Sequence, residues 1–306
     1  MEIVEQIVKS RKNLKEILKD EYDTDSLPIY ELEEMDKLFE LETTKDNPLT
    51  MTYTSSEPTT NFVVGDISVS GGSLSSFATT STSIDQMGSD LDGEAENDRS
   101  GWDVSIDANG KRIAIGASLN DGNGSNSGHT RVFEWNGSAW VQMGSDIDGE
   151  SGNVRSGYSV SINSSGDRVA IGAWYARDGS GDRTGHARVF EWDGSAWAQL
   201  GSDIDGEAAS DYSGWDVSLD SDGDRVAIGA IYNDATGENA GHVRVHEWNG
   251  SAWAQLGSDI DGEAAGDRFG ESVDLDADGN RVAIGAPYNQ GAGSEAGHVR
   301  VYEWNG

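Results

Sequence analysis

The chain has 306 residues, 55 of them acidic and 21 basic, for a net charge of −34. A surface this acidic repels nucleic acid and anionic lipid, so neither is an expected partner, and no run approaches the ~20 apolar residues of a membrane-inserted helix. Cysteine is absent, which excludes disulfides and thiolate metal sites, and 40 glycines against 4 prolines point to many tight turns between short strands.

Residues 1–42 are predicted to be helical. Val4, Ile7, Val8, Leu14, Ile17 and Leu18 fall near one helical face, with Lys9, Lys12, Lys15 and Glu16 opposite. Ser26 is placed to cap a second helix, with Pro28 in its first turn and Leu32, Met35, Leu38 and Phe39 as its apolar stripe. Such a hairpin is too small for a core of its own, so it packs on itself, on the rest of the chain, or on a second copy as a self-association element. The start, Met1 to Gln6, lacks the basic and apolar run of a secretory signal, and the compartment stays open, a cell or particle surface included. Residues 43–82, rich in Ser and Thr with Pro48 and Pro58, read as a linker; only Phe62 to Val69 alternates well enough for a strand.

Residues 83–306 are repetitive. The phrase Gln86-Met87-Gly88-Ser89-Asp90 returns at Gln142, Gln199 and Gln255, steps of 56, 57 and 56 residues. Each unit holds four strand-like runs. In the third they are Trp215 to Leu219, Arg225 to Ala230, His242 to Trp248 and Ser251 to Leu256, with the hairpin signal Asn249-Gly250 between the last two. Four antiparallel strands per 56–57 residues predict an all-β fold, a β-propeller of about four blades. The final unit stops at Trp304-Asn305-Gly306, before its fourth strand, while Ser83 to Gly88 has the sequence of that missing strand. Two endings follow: the segment closes the ring on the last blade, or the blades form an open stack or part of a larger array.

The fourth unit reads Phe269-Gly270, then Val282-Ala283-Ile284-Gly285-Ala286-Pro287, then Gly297-His298-Val299-Arg300-Val301-Tyr302. It resembles an FG-GAP repeat, the unit of the integrin α-subunit propeller; other copies keep Gly116-Ala117, Gly172-Ala173 and Gly229-Ala230 without the proline. The resemblance covers residues 83–306 and departs from that family's usual seven blades. It implies adhesion or ligand recognition, with Ca2+ in some blades. Calcium-binding copies place Asp or Asn at alternating positions before a Gly, which the resemblance maps onto Asp220, Asp222 and Asp224 in the third unit and Asp274, Asp276 and Asp278 in the fourth. The family's later Asp is missing from both. The same turn reads Asn109-Gly110 and Ser165-Gly166 in the first two units, so plain hairpin chemistry is the competing reading.

A second acidic pattern follows each fourth strand: Asp90/Asp92/Glu94, Asp146/Asp148/Glu150, Asp203/Asp205/Glu207 and Asp259/Asp261/Glu263, trailed by Asp98, Asp211 and Asp267 but by Val154 in the second copy. It forms an acidic rim that either gathers cations or a basic partner, or is solvated turn chemistry. His129, His186, His242 and His298 open the third strands; set on separate blades they cannot converge on one zinc ion, so hydrogen bonding is their expected role. Trp135, Trp192, Trp248 and Trp304, with Trp140, Trp197 and Trp253, are expected to pack between blades. No nucleophile elbow, His-Glu-x-x-His or phosphate loop occurs, and Ser, Asp and His recur in every unit, so the reading is non-enzymatic. The leading expectation is a module that binds a protein or glycan through the loops between second and third strands; the alternative is a structural or assembly protein with the propeller as spacer.

Overall fold

The computed structural model describes residues 84–305, together with a short antiparallel ladder between β1 (Leu41–Glu42) and β2 (Thr50–Met51). The helices predicted before residue 40 and the strand predicted at 62–69 lie outside the described residues. Two units divide the chain, residues 1–84 and 85–306. The second is all-β.

Its first blade runs β3 (Asp103–Ile106), β4 (Arg112–Ala117), β5 (His129–Trp135) and β6 (Trp140–Gln142), with β7 (Ile147–Asp148) returning to pair the start of β5. The second repeats this with β8 (Ser159–Ile162), β9 (Arg168–Ala173), β10 (His186–Trp192), β11 (Trp197–Gln199) and β12 (Ile204–Asp205). The third has β13 (Ser213–Leu219), β14 (Arg225–Ala230), β15 (His242–Trp248), β16 (Trp253–Gln255) and β17 (Ile260–Asp261). The fourth has three strands, β18 (Ser272–Leu275), β19 (Arg281–Ala286) and β20 (His298–Glu303). Every strand pairing within a blade is antiparallel, so the loops between second and third strands share one end of the stack with the starts of the first strands, where isolated parallel bridges join Gly128 to Ser156 and Gly185 to Ser213.

The blades stack face to face. Ala114 and Val132 of the first meet Val160, Ile162 and Ile171 of the second; Ala187 and Val189 meet Val217, Leu219 and Ile228; Val243 and Val245 meet Val273, Leu275 and Ile284. Two devices set the spacing. The first is glycine against glycine: a Cβ on Gly116, Gly172 or Gly229 would overlap the backbone carbonyl of Gly157, Gly214 or Gly270 in the next blade. This close approach is the physical reason for the Gly-Ala pair in each unit. The second is a row of bonds between successive first strands. Val160 N donates to Asp103 Oδ2 (2.7 Å), Leu219 N to Ser161 Oγ (2.9 Å) and Val273 N to Asp216 Oδ2 (2.7 Å), replacing a ladder with side-chain acceptors.

The tryptophans pack as pairs, with ring centroids 5.4–5.5 Å apart in Trp135–Trp140, Trp192–Trp197 and Trp248–Trp253. The second member of each pair donates its indole N–H to the preceding unit: Trp140 to Met87 O (2.9 Å), Trp197 to Met143 O (2.9 Å) and Trp253 to Leu200 O (2.7 Å). The segment around Met87 thus lies against the first blade as Met143 lies against the second. It does not pair with the last blade, whose sheet has three strands among the described residues. Among the described residues, then, this segment does not close a ring on the last blade.

Candidate functional site

The end that carries the loops between second and third strands also carries a continuous aromatic cluster. Trp102, Tyr158 and Trp215 each sit one residue past a glycine at the start of a first strand, and stacking of the blades aligns them: Trp102–Tyr158 centroids are 5.5 Å apart and Tyr158–Trp215 4.9 Å. Trp174, first residue of the loop after β9, joins them at 5.7 Å from Tyr158, 5.3 Å from Trp215 and 4.9 Å from Tyr212. Tyr175 and Tyr232 extend the cluster, the latter 5.2 Å from Tyr212. These rings are half-buried and Trp102 is exposed, so the cluster is a surface, not a core.

Arginines line it. Arg155 lies over Trp174 (5.1 Å) and Tyr175 (5.3 Å), Arg183 over Tyr175 (4.0 Å), Arg268 over Tyr232 (5.0 Å) and Tyr288 (4.5 Å), and Arg99 over Trp102 (5.3 Å). The backbone that presents them is unusual. Arg99, Arg155, Tyr212 and Arg268 occupy one equivalent position in the four blades, and each has positive φ (56°, 60°, 58° and 52°). Left-handed backbone is costly for such side chains and free for glycine, yet the position holds arginine or tyrosine four times.

The acidic connections share this end, because β7, β12 and β17 pair with the starts of the third strands. Part of the acidic pattern is structural. Asp98, Asp211 and Asp267 are buried and accept the Asn120, Asn233 and Asn289 side-chain amides at 2.8, 2.9 and 2.8 Å. In the second blade Val154 stands in the aspartate position and packs with Ala176, which stands in the asparagine position. An apolar pair thus replaces the polar one as a unit, leaving no buried group unsatisfied.

Another part meets the histidines. Glu94, His129 and Asp146 have ligand atoms within 4.8 Å of one another, as do Glu150, His186 and Asp203, and Glu207, His242 and Asp259. The carboxylates come from the connections entering and leaving the blade. The repeated Gln holds each aspartate in place, Gln142 Nε2 donating to Asp146 Oδ1 and Gln199 Nε2 to Asp203 Oδ1, both at 2.7 Å. His129 Nδ1 is 3.9 Å from Glu94 and 3.8 Å from Asp146, too long for a hydrogen bond. Both nitrogens of His129 and of His242 are buried with no hydrogen-bond partner. Burial pushes the His186 and His242 imidazoles down to about 4, so both are neutral at pH 7, the form that ligates metals. His129 and His242 therefore do not make the hydrogen bonds expected of them, and His129, His186 and His242 each face two carboxylates across a gap.

The aspartates mapped by the calcium resemblance lie at the opposite end, except Asp274. Asp220 Oδ1 accepts the Asp224 and Arg225 amides (3.0 and 3.1 Å), and Asp276 Oδ1 accepts those of Asn280 and Arg281 (2.8 and 3.0 Å). In the second blade the neutral Asn163 does the same for Asp167 and Arg168, both at 3.0 Å. Capping the turn is thus work this position does with or without a charge. The structure brings Asp220 and Asp224 together, and burial, with Asp224 beside it, pushes the Asp220 carboxyl up to about 6. Asp222 and Asp278 are exposed at the turn, while Asp274 projects from β18 at the position where Ser105, Ser161 and Ser218 accept amides of the following blade.

Fold and surface together define a propeller-type binding or structural module. The chain carries FG-GAP repeats: the family pattern described as "FG-GAP repeat" matches residues 91–133 and 260–302. Among solved structures, hydrazine synthase of Kuenenia stuttgartiensis is similar at 10% identity and a TM-score of 0.42, over 71% of this chain and 49% of that one. The chain thus spans about half the length of that protein, and the likeness is too distant to bear on function. No curated protein matches the chain.

Proposed function

We propose that this is a non-enzymatic recognition module that binds a protein partner on the aromatic–arginine face. The observation that carries the reading is the row Arg99, Arg155, Tyr212 and Arg268, kept in left-handed backbone where glycine would relieve the strain. Such outliers mark binding and switch sites. Trp, Tyr and Arg are also the side chains that dominate protein-interface energetics, as large anchors that lose little entropy. On a chain of charge −34, the arginines stacked on these rings give this face a cationic element suited to an acidic group on the partner.

Substituting Arg155→Gly tests this, because it removes the side chain while relaxing the backbone. Stability is expected to stay within ~1 kcal/mol of the parent. Capture of cells and of a surface-protein display library, scored by flow cytometry, is expected to fall at least tenfold. Undiminished capture would contradict the assignment of this face, and capture confined to a printed glycan array would replace the protein partner with a sugar.

A second reading is favoured by the three His–carboxylate groups: divalent cations held there support the fold. One imidazole and two carboxylates suit Zn2+ or Mn2+, and the gaps of 3.9 and 3.8 Å facing His129 Nδ1 need to close by about half an ångström to bring two ligands ~2.1 Å from one ion. Calcium in the loops of Asp220 and Asp276 is the competing proposal, since Ca2+ takes oxygen ligands only. Melting after EDTA treatment and re-addition of single metals separates them. A rise with Zn2+ or Mn2+ that is lost in His242→Gln assigns the histidine groups. A calcium-specific rise lost in Asp276→Asn assigns the loops, and no rise with any metal overturns both.

A further inference from the structure

Among the described residues two blade faces are exposed, and they are complementary. On the fourth blade Val299 and Val301 are 68% and 65% exposed, whereas their counterparts in the third, Val243 and Val245, are 0% and 8%. On the first blade Val104 and Ile106 are 55% and 57% exposed, whereas Val160 and Ile162 in the second are 4% and 7%. These are the two halves of an interface that the chain builds three times internally.

The polar and steric rows end at the same faces. Gly285 continues the series Gly116, Gly172 and Gly229, and Gly101 begins the series Gly157, Gly214 and Gly270; neither meets a glycine of another blade. Arg112, Arg168 and Arg225 each reach a turn carbonyl of the following blade (Gly166, Gly223 and Gly279, at 3.3, 3.2 and 3.1 Å), whereas Arg281 bonds only Glu303 of its own blade. Among the described residues the sheet of the fourth blade has three strands. Ser83 to Gly88 has the sequence of a fourth strand, and Met87 within it already lies against the first blade, held by the Trp140 indole.

We propose that copies of this chain associate head to tail: the outer face of the fourth blade packs on the first blade of a second copy. Residues 84–88 of that copy supply a fourth strand, Gly285 meets Gly101, and Arg281 reaches the Gly110 turn. Each junction is then a fourth instance of the internal one. Such an interface uses different patches on the two partners, so it closes into a ring or extends, according to the rotation per copy. Like charge opposes it, so added salt strengthens the association.

Sedimentation equilibrium of the full chain tests the proposal. The parent is expected to exceed its single-chain mass of 32.6 kDa increasingly with concentration. Val301→Arg spoils one face and Val104→Arg the other, both at exposed positions that leave the fold intact. Each variant alone is expected to be monomeric, and their equimolar mixture to form a heterodimer, because it retains one good junction. Val299→Lys and Ile106→Lys repeat the test at independent positions. A parent that stays monomeric at every concentration overturns the proposal, since the faces are then covered within one chain. A single variant that still self-associates also overturns it, in favour of a like-to-like contact or of a surface elsewhere, the N-terminal segment included.

Discussion

Replacing Gly172 with alanine is expected to lower the melting temperature by roughly 10 °C, on the order of 3 kcal/mol for a domain of this size. The added methyl group would enter the space of the Gly214 carbonyl, and backbone cannot rotate out of the way as a side chain can. The second and third blades must then separate, exposing the cluster of Ala187, Val189, Val217 and Ile228 between them. Gly229→Ala is expected to do the same between the third and fourth blades through Gly270. Gly285→Ala is the internal control. Its methyl would meet only the Ser272 hydroxyl of its own blade, so it is expected to change stability by less than ~1 kcal/mol in dilute solution. Equal effects of Gly172→Ala and Gly285→Ala, compared by thermal melting, would show that glycine matters here for local conformation and not for blade spacing.

His246→Phe is expected to stabilise the protein, and most of all in mild acid. His246 lies where the first two blades have Phe133 and Phe190; it is buried, its Nδ1 has no partner, and burial pushes its imidazole down to about 4. A histidine whose pKa is depressed on folding contributes stability that is present above pH 6.5 and is lost as pH falls toward 4, because the unfolded chain takes up the proton first. His186 and His242 act in the same direction. Asp216 and Asp220, pushed up to about 6 chiefly by burial, act in the opposite one: their contribution is present below pH 3.8 and is lost as pH rises through 6. Burial raises Asp148, Asp205, Glu207, Asp211, Asp261 and Glu271 as well, so the difference between His246→Phe and the parent, and not the parent's own pH profile, isolates the histidine. His246→Phe should gain about 1–2 kcal/mol at pH 7 and show a shallower acid loss. Melting curves across this range check it; an unchanged slope would mean that the imidazole is solvated.

Much of the blade was legible because its signals are local. The run Arg225 to Ala230 and the strand His242 to Trp248 have the bounds read from alternation and from the Asn249-Gly250 turn. Packing of the tryptophan pairs could be inferred from their recurrence. The short strands β7, β12 and β17 were not foreseen, since two residues in an acidic connection carry no periodicity. The aromatic face was missed for a different reason. Trp102, Tyr158 and Trp215 are far apart in sequence and meet only because successive first strands stand side by side. A signal did exist: an aromatic residue directly after Gly101, Gly157 and Gly214, with Tyr175, Tyr232 and Tyr288 opening the next loops. The His–carboxylate groups were hidden likewise, because Glu94 and Asp146 flank a whole blade before converging on His129.

The central claim is that a partner docks on the aromatic–arginine end of the stack, and placing a photocrosslinker at each end tests it most directly. Benzoylphenylalanine at Tyr175 lies in the loop after β9, on that face; at Ser195 it lies in the hairpin between β10 and β11, at the opposite end. Irradiation on cells that capture the protein is expected to yield a crosslinked partner from position 175 and none from position 195. Crosslinking from 195 alone would place the binding surface on the turns that carry Asp222 and Asp278 and contradict the account.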